Sequence, residues 1–205
     1  MEEEKDKKWV KKGNFLANGK SLNEFYYIYK SFNLFTFAFM NQIVLSTLKT
    51  LNKTNQLLTI LSDEQLSNSS IPPYKSSIGS HIRHILDFYD CILNKQSENL
   101  VDLTLRKRNL IVETNSTAAL QYCNEIVNKL KCSSYNFEEQ VLVIDDLGMG
   151  KIEIMYTLGA LFAQANSHTI HHYAIINYIL EGLNISINDS EFGYNPTTPK
   201  QTSLN

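Results

Sequence analysis

Residues 157–182 read TLGALFAQANSHTIHHYAIINYILEG. Leu161, Ala165, Ile175, Ile176 and Ile179 return at spacings close to the helical period, so the stretch predicts one long amphipathic helix over about Thr157 to Glu181. Gly182 is the expected left-handed residue at its C-terminal end. His168 and His172 are four residues apart on the same apolar stripe, stacked about one turn from each other. A helix whose inward face carries two imidazoles has a polar site to build inside its own core.

Upstream of this helix the period changes. Phe137 to Ile144 and Ile152 to Tyr156 flank Asp145-Asp146-Leu147-Gly148-Met149-Gly150, which predicts a short hairpin or irregular loop. The acidic pair lacks the ligand spacing of a calcium-binding loop and reads as a turn. Further upstream the helical period returns. A third helix is expected over about Ser116 to Lys131, with Ala119, Leu120, Cys123, Ile126, Val127 and Leu130 inward. A second starts near Ser76 or Ser77 and carries Ile78, Ile82, Ile85, Leu86, Tyr89, Ile92 and Leu93. A first spans about Phe35 to Leu61, and the loop Ser67 to Pro73 separates it from the second, because paired prolines stop a helix. The expected fold is all-α: an antiparallel four-helix bundle over residues 34–198, with a short β-hairpin or loop insertion before the last helix. Residues 1–33, highly charged and carrying Trp9, are expected to be a flexible extension, and 199–205 a tail.

Composition narrows the functional classes. Hydrophobic residues make up 43% of the 205 and charged residues 20%, as in a globular domain. A net charge of -2 provides no basic footprint, so nucleic acid is not an expected partner. No stretch approaches the ~18 apolar residues of a membrane span, and the opening segment has no apolar run of the kind a secretion signal needs. Cys91, Cys123 and Cys132 form no CxxC pair and read as reduced thiols of a cytoplasmic protein.

All five histidines fall in two short segments, Ser80-His81-Ile82-Arg83-His84 and Ser167-His168-Thr169-Ile170-His171-His172. An inward imidazole pair with nothing to bind leaves donors and acceptors unmet. A divalent metal answers that need: His168 and His172 at i and i+4, plus one histidine from the facing second helix, leave one position open. On a helical wheel His81 lies roughly 80° from the centre of the second helix's apolar arc and His84 roughly 140°. Phase alone prefers His81, yet a bundle helix touches two neighbours, so both stay open. His171, roughly 100° from His172, is expected at the edge of the site.

The segments Gly79-Ser80-His81-Ile82-Arg83-His84-Ile85-Leu86-Asp87 and Ser167 to Ile176 resemble the DinB-like (DinB/YfiT) superfamily of metal-dependent enzymes. Arg106-Lys107-Arg108 with Glu113, and Phe192-Gly193-Tyr194-Asn195-Pro196-Thr197-Thr198, are similar to further segments of one branch of it. The resemblance covers about Phe35 to Thr198. It implies a helical bundle, a homodimer, and three histidines holding zinc, nickel or iron. Its first ligand is a histidine followed by an aliphatic residue and soon an acidic one, which His84-Ile85-Leu86-Asp87 fits. It therefore implies the set His84, His168 and His172, with His81 as the alternative. Ala160 and Leu161 stand where that branch has an arginine-glutamate pair, a departure that touches any substrate role of the pair. Arg106 and Arg108 would hold an anionic substrate near the mouth.

Two classes of function follow as expectations. One is a metal-dependent enzyme, a thiol-dependent transferase or a hydrolase, acting on a small molecule such as a low-molecular-weight thiol. The other is a non-catalytic binding or structural module whose metal ties helices together, with His81 or His171 as a fourth ligand.

Overall fold

A computed structural model of the chain describes residues 41–95 and 99–198. The expected charged extension at 1–33, the expected start of the first helix at 35–40 and the tail at 199–205 lie outside these residues. The compact unit that begins at Gln42 contains every element below.

Among the described residues, five α-helices and one sheet make up that unit. Helix α1 spans Gln42–Leu58 and buries Val44, Thr47, Leu51, Thr54 and Leu58 at spacings of three and four. It stops three residues short of Leu61, because Ser62 opens a separate one-turn helix, α2, Asp63–Ser67. Ser62 and Gln65 cap each other there: the Ser62 oxygen accepts from Gln65 N, and the Gln65 amide oxygen accepts from Ser62 N. Helix α3, Ile78–Leu93, is capped by Ser77, which accepts from Ser80 N. Helix α4, Ser116–Cys132, is capped by Asn115 and carries Lys129 and Lys131 in its last turn, where a cation faces the negative end of the helix dipole. Helix α5, Leu158–Gly182, is capped by Thr157. Two turns of 3-10 helix, Leu103–Leu105 and Leu110–Glu113, join α3 to α4.

The all-α expectation is overturned by a three-stranded mixed sheet. Strand β2 (Gln140–Asp146) pairs antiparallel with β3 (Lys151–Thr157), closing the expected hairpin, and pairs parallel with β1 (Leu100–Asp102) on its other side. The sheet is not an insertion on a bundle. Val101, Val141 and Val143 are fully buried and belong to the core. Strand β1 escapes a periodicity reading because three residues are too short for alternation to register, and its partner lies some forty residues away.

Among the long helices, α1 and α3 each pack against both α4 and α5. Leu51, Leu66, Ile82, Leu86, Ile126, Leu161 and Ile176 fill the space between them. The end of α5 also departs from expectation. Gly182 is helical, and the left-handed residue is Asn184, with φ 56°. Glycine at 182 makes room instead for Ile71: a Cβ there would stand 2.8 Å from its Cγ2, and that side chain would have to shift. The segment after Asn184 turns back rather than extending. Phe192 stacks on Tyr173 with ring centroids 4.6 Å apart. Gly193, at φ 78°, lets the backbone pass where a Cβ would meet Ala174 Cα at 2.8 Å.

Among the described residues no helix is long and apolar enough to cross a membrane. The three cysteines are free: Cys91 half-buried, Cys123 buried, Cys132 exposed.

Candidate metal centre

The site forms where α3 crosses α5. His81 meets His172, and His84 meets His168, so the two helices run in opposite directions and a pair of residues on each faces the other. The Nε2 atoms of His84 and His168 are 2.8 Å apart, and those of His168 and His172 are 3.1 Å apart. One ligand nitrogen from each of the three lies within 4.8 Å of the others, close enough to hold a metal ion. Nitrogens at about 2.0–2.1 Å from one tetrahedral ion sit roughly 3.3 Å from each other, so the His84–His168 and His168–His172 separations lie within about half an ångström of what an ion requires.

Electrostatics favours the same use. Burial pushes the His84 imidazole down to about 4, helped by His168, Arg106, Arg83 and His81. Burial also pushes His172 down to about 3, with His168, His84, His81 and His171 adding to it. His168 and His81 are lowered as well, by burial first and by His171 second. Near neutral pH these four rings are uncharged and keep a lone pair each. Three such nitrogens facing each other have only one another to bond, which is a poor exchange for water. A cation removes the conflict.

The structure also separates the two candidates of α3. His81 does not join the cluster. Its Nδ1 is 2.8 Å from His172 Nδ1, and its Nε2 is 2.7 Å from the Ser76 hydroxyl. His172 is thus held at both ring nitrogens, with Nε2 turned toward His168. A partner at the far nitrogen is what orients a metal-binding imidazole. His171 is exposed, its ring centroid 6.3 Å from that of His168. Among the described residues, no fourth histidine, cysteine or carboxylate completes the group.

Among the described residues, neither Arg106 nor Arg108 pairs with Glu113. Glu113 is bound instead by Arg83 Nε, while Arg83 Nη1 donates to Asp87 at 2.8 Å. Asp87, almost fully buried, also accepts from the Tyr122 hydroxyl at 3.3 Å. This network fixes the turn of α3 that carries His84. Arg106 stands apart, half-buried, its guanidinium carbon 5.5 Å from the centroid of Phe88. Lys107 and Arg108 are exposed. Asp145 and Asp146 do not form the turn expected of them but end strand β2; residues 147–150 make the turn, and Asp146 braces it by accepting from Gly148 N at 2.7 Å and from Gly150 N at 3.2 Å.

Gln164 is a residue that the motif reading passed over. It stands one turn before His168 on the same stripe of α5, and its Oε1 is buried with no hydrogen-bond partner. A polar residue at i−4 from the first histidine was the available signal. A cavity of about 480 Å³ lies between α1, α5 and residues 191–198, but Asn166, Ile170 and Tyr173 line it from the opposite face of α5. It is not part of the histidine site.

No protein-family model matches the chain, and no curated protein matches it. The reading of the site therefore stands on its geometry.

Proposed function

We propose that the chain is a metal-dependent enzyme of the DinB-like superfamily, a thiol-dependent transferase or a hydrolase acting on a small molecule. His84, His168 and His172 would hold one divalent ion, zinc or nickel, with iron as the other choice. The observation that carries this reading is the convergence of three imidazole nitrogens with no fourth ligand beside them among the described residues. The structural-module alternative needed His81 or His171 as that fourth ligand. His81 has both nitrogens engaged elsewhere and His171 faces outward, which favours the open site.

A divalent ion bound there supplies Lewis acidity and lowers the pKa of a water or thiol that reaches its free position. The chain's own residues do the rest. His81, itself held by the Ser76 hydroxyl, sets the His172 ring by bonding its Nδ1. Arg83, Asp87 and Glu113 lock the helix turn that presents His84. Phe88, with its ring centroid 5.5 Å from that of His168, forms an apolar wall that keeps bulk water from that side. A homodimer belongs to the same proposal, and light scattering checks it.

Elemental analysis of the purified protein tests the centre. About one divalent ion per chain is expected, lost in His168→Ala and in His172→Ala after dialysis against a chelator. A cobalt-loaded protein whose visible spectrum shifts with azide would support an open position. A spectrum that azide leaves unchanged would return the site to a structural role.

A further inference from the structure

Arg106, beside the cluster, carries a charge that the described residues leave unpaired. It is half-buried, and its flat guanidinium lies over the Phe88 ring. Cation–π attraction offsets part of its desolvation but engages none of its five N–H donors. Among the described residues Arg106 has no hydrogen-bond or ion-pair partner. The neighbouring carboxylates are committed. Asp87 and Glu113 are both bound by Arg83. Asp102 accepts from the Thr104 amide and hydroxyl at 2.8 and 2.6 Å. Asp145 accepts from the Asp146 amide at 2.9 Å. A partly buried arginine is ordinarily paired, so one whose local acids are all taken is placed for an anion from outside.

Position links that anion to the histidines. Phe88 neighbours both groups: the Arg106 guanidinium carbon lies 5.5 Å from its ring centroid, and the His168 centroid is also 5.5 Å from it. The guanidinium is thus within two such steps of the imidazole.

We propose that Arg106 is a specificity-determining residue that receives the carboxylate of a small substrate whose other end reaches the His84–His168–His172 centre. Lys107 and Arg108 point away into solvent, so a single guanidinium answers the ligand, which matches a monoanion and a planar carboxylate in particular. The substrate class is a short carboxylic acid with a metal-seeking group a few bonds away. The proposal rests on the metal-centre reading above.

The test uses the full chain loaded with cobalt, titrated with 3-mercaptopropionate and with 2-mercaptoethanol, which present the same thiol with and without a carboxylate. In the wild type, the carboxylate thiol is expected to bind about tenfold more tightly. In Arg106→Met the preference should fall to near parity, while cobalt content and 2-mercaptoethanol affinity stay unchanged. Arg106→Lys, which keeps the charge without the fork, should restore part of it and decides the matter if the Met variant does not fold. Equal affinities in the wild type, or a preference that survives in both variants, overturn the carboxylate assignment and leave the metal centre standing. A wild-type protein that takes up no cobalt overturns both.

Discussion

His172 is gripped at both ring nitrogens, and the grip starts outside its own helix. Ser76 lies in the loop before α3, bonds His81, and His81 in turn bonds His172. This chain fixes which nitrogen of His172 faces His168. His81→Ala should therefore keep about one metal per chain but bind it some 10–100-fold more weakly, as measured by competition with a chromophoric chelator. His84→Ala should lose the metal outright. Equal losses in the two variants would mean that His81 is itself a ligand. Gln164 makes the opposite kind of prediction. Its buried Oε1 has no partner, and an orphaned acceptor of that kind costs about 1–3 kcal/mol. Gln164→Leu should raise the melting temperature of the metal-free protein by a few degrees, and an unchanged or lower value would show that the oxygen is satisfied. The i, i+4 pair His168 and His172 was legible in the sequence, since spacing and stripe coincide. The separate parts of His81 and His84 were not, because helical phase says which face a residue occupies and nothing of which nitrogen a loop serine will bond.

At the scale of elements, the site depends on how closely α3 approaches the 3-10 turn Leu110–Glu113. Gly79 makes that contact possible: a Cβ there would lie 2.1 Å from the Glu113 carbonyl oxygen, and the obstacle is backbone that cannot swing aside. Gly79→Ala should destabilise the protein by roughly 2–4 kcal/mol in urea unfolding, well beyond an ordinary surface change. It should also loosen metal binding, because Arg83 ties the same turn to Glu113 one residue before His84. A stability within about 0.5 kcal/mol of wild type would refute the close approach. The four long helices were legible because apolar residues return every three or four positions, and Ser77 and Asn115 mark two of their starts. Helix α2 was legible in principle through the Ser62–Gln65 box, which lies between the expected end of the first helix at Leu61 and the expected loop from Ser67. Strand β1 was not legible. Leu100-Val101-Asp102 becomes a strand only because β2 offers it an edge, and that pairing is set by tertiary packing rather than by local preference.

For the whole molecule, the histidine cluster makes folding depend on pH. An unfolded histidine takes up a proton near pH 6.5, whereas His84 in the fold stays neutral down to about 4 and His172 down to about 3. Between those values the unfolded chain binds more protons than the folded one, so stability rises with pH across the window and falls as the solution is acidified from 6.5 toward 4. His81 and His168, lowered in the same direction, add to the slope. Asp87 works against it, because burial raises its carboxyl and the folded state takes that proton more readily. Four rings outweigh one carboxyl. Chelator-treated protein should therefore unfold at progressively lower urea concentration from pH 7 to pH 5, and replacing His84 and His172 together by leucine should flatten the trend. Added zinc should stabilise the wild type at pH 5 about as well as at pH 7, because the folded rings stay neutral across that range, and should lose its effect only toward pH 4, where protons begin to compete for the same nitrogens. A metal-free protein equally stable at pH 7 and pH 5 would mean that the rings are solvated and charged at pH 5, and the neutral cluster on which the metal centre depends would not exist at that pH.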